Sequence, residues 1–336
     1  MPVRDVIIVG GGPAGLAAAI AARQAGLDVV VLEKGALVNT LLHYPTNMVF
    51  FTTPELLEIG GLPFVTPNEK PNRFEALKYY RRVTDAFALP VELDEEVRSI
   101  AVESDGTLAV VTMSRLGVDR VQHARTVVLA MGAFDRANRL DVPGEDLPHV
   151  SHYYSESHPF YRKDVVIVGG KNSSADAALD LYRNGARVTI VHRQSHFSNS
   201  IKYWVRPDLE NRVREGAIAA RFEAHVAEIR PTTVLVEQYG ASDELPADAV
   251  FLLTGYHCAP EVMVRAGVHV DPVTYRPDHD PSTFETNVPN LFVIGSMITG
   301  RQSGQIFIEN GRFHGQRVIE VIAERLAGPV TAGSPA

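Results

Sequence analysis

The chain has 336 residues, 45% of them hydrophobic and 21% charged, enough for two globular domains with separate cores. With 40 acidic and 32 basic side chains its net charge is −8, which argues against a nucleic-acid-binding surface. The single cysteine, Cys258, excludes any disulfide within the chain.

The longest apolar stretch, Val6 to Ala22, is broken by glycines and a proline and lacks a cationic leader. It reads as strand, turn and helix rather than a membrane span or a secretory signal, so a cytoplasmic protein is expected. The apolar run Val6–Val9 meets Gly10-Gly11-Gly12-Pro13-Ala14-Gly15, then an alanine-rich helix, Leu16 to Gln24, then a buried strand, Val29 to Leu32, that ends on Glu33. This is a dinucleotide fingerprint in its required context. Gly10 permits the tight turn, Gly12 lets the backbone approach a pyrophosphate, and Gly15 lets helix and strand pack closely. Glu33 is placed to accept hydrogen bonds from ribose hydroxyls, so this site suits an adenosine with free hydroxyls, as in FAD.

Alternation of apolar and polar residues around Leu93–Thr112 predicts a small β-element with a turn at Asp105-Gly106. Thr126 to Gly132 is another strand ending in glycine. A second station follows: strand Asp164 to Val168, loop Gly169-Gly170-Lys171-Asn172-Ser173-Ser174, helix Ala175 to Arg183, and strand Val188 to Val191 ending on His192-Arg193. The interval from Gly169 to His192 equals that from Gly10 to Glu33, so the two units are in register. The position of the ribose acid is now basic. His192 and Arg193 are expected to pair with a 2′-phosphate, which makes this the NADPH site. Lys171 and Ser174 depart from the glycine pattern. Leu252 to Tyr256, with Gly255, plays the part of Thr126 to Gly132 late in this second unit.

The third station is the strand Asn290 to Ile294 reaching Gly295-Ser296, then a loop and a helix expected from near Gln305 through Ala323. Its N-terminus is expected to point at the flavin's pyrimidine edge, where negative charge gathers on reduction. The fold class that results is α/β, with two Rossmann-like dinucleotide-binding domains and the NADPH domain inserted in the FAD domain. The FAD domain takes residues 1–140 and 276–336, the NADPH domain 150–270. The tail 327–336, rich in Gly, Pro, Ala and Ser, is expected to be disordered.

This pattern resembles the low-molecular-weight thioredoxin reductase family across nearly the whole chain. Where that family has a Cys-x-x-Cys pair, this chain reads Val150-Ser151-His152-Tyr153-Tyr154-Ser155-Glu156-Ser157-His158-Pro159, so no dithiol can relay electrons to thioredoxin. The strings Gly169–Ser173, Ser200–Val205, Ile306–Gly315 and His43-Tyr44-Pro45-Thr46-Asn47 with Phe50-Phe51 are similar to the bacillithiol disulfide reductases. That resemblance implies an NADPH-dependent FAD enzyme that reduces oxidised bacillithiol. It also implies a homodimer or dimer of dimers, and a partner that is a small-molecule disulfide or a small redox protein. The family's cysteine in the first glycine loop is replaced here by Ala14.

The expected FAD set is Gly10, Gly12, Pro13, Ala14, Gly15, Glu33, Lys34, Thr40, Tyr44, Asn47, Val97, Ala130, Gly132, Gly295, Ser296, Gln305 and Ile306. The expected NADPH set is Gly170, Lys171, Asn172, Ser173, Ser174, His192, Arg193 and Gly255. No metal site is expected. The reacting centre is the flavin itself, with His152, Tyr153 and Tyr154 at the place of the lost cysteines, and His43 and Tyr44 near the flavin face, as candidate proton donors or stacking partners. Short linkers near 140–150 and 270–280 would permit domain rotation. Two other readings stay open: an NADPH–ferredoxin or flavodoxin reductase, and a sensor that binds both cofactors without turnover. The first calls for a basic docking face.

Overall fold

Four consecutive β-branched or leucine residues with no polar interruption make a strand that is buried on both faces, and the chain has several. The computed structural model describes residues 2–302 and 304–328. In it β1 (Arg4–Val9) pairs in parallel with β2 (Val29–Leu32) on one side and with the strand Asp119–Leu129 on the other. The helix between them, α1 (Pro13–Gln24), starts at Pro13, where a missing N–H costs nothing because the first turn has no intrahelical acceptor for it. The seven-stranded sheet runs Val91–Glu92, β2, β1, Asp119–Leu129, Leu108–Ser114 and Glu95–Val102, and Leu291–Val293 also pairs with Asp119–Leu129. Its last three path members form the antiparallel element predicted around Leu93–Thr112, turning where Gly106 N–H donates to Glu103 O.

The second sheet has five parallel strands in the order Ala219–Phe222, Arg187–His192, Asp164–Val168, Ala249–Leu252 and Val150–Ser151. A three-stranded antiparallel sheet, Ala224–Ile229, Thr233–Gln238 and Ala241–Pro246, repeats the plan of the first unit's antiparallel element. Its helix, Asn172–Arg183, buries Ala175, Ala178, Leu179 and Leu181 against the parallel strands.

The chain divides into two compact units, the first comprising 1–43, 52–136 and 256–336, the second 44–51 and 137–255. Both boundaries differ from the sequence expectation. Residues 256–270 belong to the first unit because Cys258, Met263 and Val268 are part of its core, packed with Val97, Ile100 and Met297. Residues 44–51 belong to the second: Thr46 N–H donates to Ser155 O at 2.8 Å, and the Phe51 ring lies 5.4 Å from that of Trp204.

The helix expected from Gln305 through Ala323 is broken in two, Ile308–Gly311 and His314–Ala327. Both pieces pack closely: a Cβ on Gly311 would lie 3.0 Å from Ile306 Cγ2, and one on Gly315 would lie 2.5 Å from Ala18 N. The expected disordered tail lies outside the described residues from 329 onward; Ala327 closes the last helix. Among the described residues, no helix is long and apolar enough to cross a membrane.

Candidate nucleotide sites

The first site is built on the junction of β1 and α1. Gly10 has φ +111°, and a Cβ there would lie 2.5 Å from Ala130 O. A Cβ on Gly15 would lie 2.0 Å from Gly10 O, so the helix can approach the strand only without a side chain. Gly12, the residue before the helix, is different: a Cβ there would meet nothing within 4 Å. Its backbone faces open space at a helix N-terminus whose first amides lack intrahelical partners, a fitting cradle for a pyrophosphate.

Glu33 is 5% exposed, and both its oxygens are engaged by backbone: Oε2 accepts from Gly11 N–H at 2.7 Å and Oε1 from Gly35 N–H at 3.0 Å. Each oxygen keeps a second lone pair for a ribose hydroxyl. Burial pushes the Glu33 carboxyl up, while the two amides and Lys34 pull against that shift. The Lys34 ammonium itself is bound to Asp135 at 2.6 Å, which commits an expected cofactor contact to an ion pair within the unit. Thr40 sits half-buried on the short helix Asn39–Leu42, tied to the glycine loop by Val38 N–H donating to Gly11 O at 3.1 Å. The side chain of Val97 is committed to the core.

Around the mouth of this site the expected glycines converge. A Cβ on Gly295 would lie 3.1 Å from Ala14 Cβ, and one on Gly132 would lie 4.0 Å from Ser296 Oγ. Gln305 and Ile306 precede the short helix instead of starting a long one, and Gln305 O accepts from Asn310 Nδ2 at 3.1 Å. Tyr44 and Asn47 lie in the segment that belongs to the second unit. His43 stays in the first, its Nδ1 2.8 Å from Asn39 O.

The second site repeats the plan with a different filling. Gly169 has φ +148°, and a Cβ there would lie 2.2 Å from Ser174 Oγ and 2.6 Å from Leu253 O. Ser174, in the register of Gly15, is 1% exposed, and its hydroxyl has no hydrogen-bond partner among the described residues. A buried hydroxyl left unmatched beside a helix N-terminus fits a site that a polar ligand completes. Asn172 braces the following loop: its Nδ2 donates to Ser200 O at 2.8 Å and its Oδ1 accepts from Lys202 N–H at 2.9 Å. Lys202 is buried and pairs with Asp176 at 2.7 Å, while Ser198 N–H donates to Gly170 O. Lys171 and Ser173 are exposed. Gly255 has φ +97°, and its carbonyl accepts from Asn138 N–H at 2.9 Å.

His192 does not stand free as a cation. Its ring covers Gly170, and burial together with the Arg193 charge holds its pKa below the ordinary 6.5. Near neutral pH, Arg193 therefore carries the positive charge expected of the pair. It is exposed and makes no hydrogen bond or ion pair among the described residues.

The candidate proton donors are differently placed. His152 Nε2 lies 3.4 Å from Oε1 of Glu145, a buried carboxylate that also accepts from Leu140 N–H at 3.0 Å and Asp141 N–H at 2.7 Å. That arrangement ties His152 to a turn. Tyr153 is partly exposed, with its backbone bonded to the Ser151 hydroxyl. The neighbouring Tyr154 is core, its hydroxyl bonded to Asp180. Cys258 is fully buried, and burial pushes its thiol up to about 12, far from a nucleophilic thiolate.

The pyridine nucleotide-disulphide oxidoreductase pattern matches residues 7–295, which spans both glycine loops and the strand before Gly295. The chain belongs to that family. It is an FAD-dependent NADPH oxidoreductase of the pyridine nucleotide-disulphide class. It is 43% identical over 321 residues to the bacilliredoxin reductase Bdr of Bacillus subtilis (strain 168), covering 95% of this chain and 97% of that one. Among solved structures, the bacillithiol disulfide reductase Bdr from Bacillus cereus superposes with a TM-score of 0.94 at 42% identity, over 96% of this chain and 100% of that chain. The thioredoxin reductase of Lactococcus lactis superposes with a TM-score of 0.76 at 19% identity, over 96% of this chain and 99% of that chain, which speaks for the fold alone.

One residue the sequence reading did not single out joins the first site. His314, inside the string Ile306–Gly315, accepts a hydrogen bond from Gly295 N–H at 3.3 Å. Nothing in the local pattern marks it, because its partner comes from the end of a strand and the ring from the start of the last helix.

Proposed function

We propose that this chain uses NADPH to reduce a low-molecular-weight disulfide of the bacillithiol type, in the bacterial cytoplasm and as a homodimer or a multiple of dimers. The first unit holds FAD and the second NADPH. What carries the choice of acceptor is the likeness, over nearly the full length of both chains, to a relative named as a bacilliredoxin reductase and to a solved structure named as a bacillithiol disulfide reductase. The overall change is NADPH + RSSR + H⁺ → NADP⁺ + 2 RSH.

Bound FAD supplies a two-electron carrier between the nicotinamide and the disulfide. The residues around it supply position and charge. Gly12 and the start of α1 receive the FAD pyrophosphate, Glu33 accepts from the adenosine ribose, and Arg193 selects the phosphorylated nucleotide. No thiol of the protein takes part, because Ala14 offers none and Cys258 is buried in the first unit's core with its pKa pushed up. The acceptor disulfide is therefore reduced without an enzyme-bound mixed disulfide.

An anaerobic titration tests this reading. One equivalent of NADPH should bleach the flavin band of the purified protein, and bacillithiol disulfide should restore it. Bleaching that only ferredoxin or a quinone reverses would replace the acceptor while keeping the cofactors.

A further inference from the structure

The N–H of Gly295 donates to Nδ1 of His314 at 3.3 Å. Only an unprotonated Nδ1 can accept, so the ring is neutral with its proton on Nε2. Burial disfavours the charged ring and keeps it so. Phe284 stacks on the His314 ring at 4.6 Å and 25°, and the His279 ring stacks with Phe284 at 6.2 Å and 7°.

Phe284 adopts φ +63°, a left-handed conformation costly for an aromatic residue, and its carbonyl accepts from Val293 N–H at 2.9 Å. Val293 ends the strand Leu291–Val293, just before the Gly295 turn. Gly295 is also close to the first loop: a Cβ on it would lie 3.1 Å from Ala14 Cβ. The turn that faces the first glycine loop is thus held at both of its residues: Gly295 N–H donates to the His314 ring, on which Phe284 stacks, and Ser296 O accepts from Thr299 Oγ1 at 2.8 Å.

We infer that His314 is a positioning residue for the flavin: its Nδ1 holds the Gly295–Ser296 turn beside Ala14, in the arrangement of the first glycine loop that would receive FAD. This rests on the reading that the first unit holds FAD. His314→Leu removes the acceptor at similar bulk, whereas His314→Asn puts an amide oxygen where Nδ1 stands.

The measurement is the FAD dissociation constant of each variant, by flavin fluorescence on adding FAD to the deflavinated chain, together with the flavin midpoint potential. His314→Leu should bind FAD about tenfold more weakly and shift the potential, and His314→Asn should stay within about twofold of the parent. Equal affinity and potential in His314→Leu and the parent would overturn the inference. So would a folded His314→Asn that binds FAD about tenfold more weakly than the parent, and this second arm decides the matter if the leucine variant fails to fold. A parent chain that takes up no FAD would instead sink the underlying cofactor assignment.

Discussion

The imidazole of His192 occupies the place of a side chain on Gly170: a Cβ there would fall 2.3–2.5 Å from three of its ring atoms. The corresponding acid in the first unit, Glu33, leans on Gly11 in the same way, with a Cβ on Gly11 falling 3.1 Å from Glu33 Cβ. In both units the residue at the end of the second strand is folded back onto its glycine loop, but only Glu33 reaches it with a hydrogen-bonding atom.

Because the His192 ring covers the loop, the proposed phosphate selection rests on Arg193. Arg193→Ala should lower the ratio of kcat/KM for NADPH over NADH tenfold or more, the size of a charge-assisted hydrogen bond of about 1.5–3 kcal/mol. Steady-state kinetics with both nucleotides measures it, and an unchanged ratio would show that the 2′-phosphate lies elsewhere.

Two alanine substitutions in the first loop should behave differently. Gly15→Ala puts a methyl 2.0 Å from Gly10 O, so strand and helix must part; overpacking of this kind costs about 1–3 kcal/mol, and Tm should fall even without flavin. Gly12→Ala meets open space, so the apoprotein should keep its Tm while FAD retention through gel filtration drops. Equal effects of the two on apoprotein Tm would contradict the cradle.

Cys258 provides the third case. Cys258→Ala should leave turnover within about twofold of the parent and cost about 1 kcal/mol of stability from the small cavity. A thiol reagent should label the parent only after unfolding. A folded alanine variant without disulfide reductase activity would put the thiol back into the mechanism.

The fourth concerns acid. His192, His257 and His314 each have a pKa below the ordinary 6.5, in every case first because burial disfavours the charged ring. A histidine with a depressed folded pKa takes up its proton more readily when unfolded. Its contribution to stability is fully present above pH 6.5 and is lost as pH falls from there through the folded value. Thermal unfolding followed from pH 8 downward should show Tm declining below pH 6.5, before the carboxylates paired with arginine, such as Asp164 with Arg187, begin to titrate. A Tm that stays flat until the carboxylate range would argue against neutral buried histidines.

Much of this protein could be read from short stretches of sequence. Val6–Val9 running into Gly10-Gly11-Gly12 and then α1 needs only local rules: apolar β-branched residues extend, glycines turn and alanines wind. The same holds for the second loop and for the hairpin at Asp105-Gly106. What the tertiary structure alone decided is which distant residues meet. Lys34 is taken by Asp135, a full sheet away in sequence, and His314 is turned onto Gly295. Cys258 is drawn into the core of Val97 and Met297, and residues 44–51 leave the unit that precedes and follows them. Local propensity is set by a residue and its near neighbours, whereas burial, ion pairing and pKa depend on packing between segments far apart in the chain, and no short window of sequence contains that information.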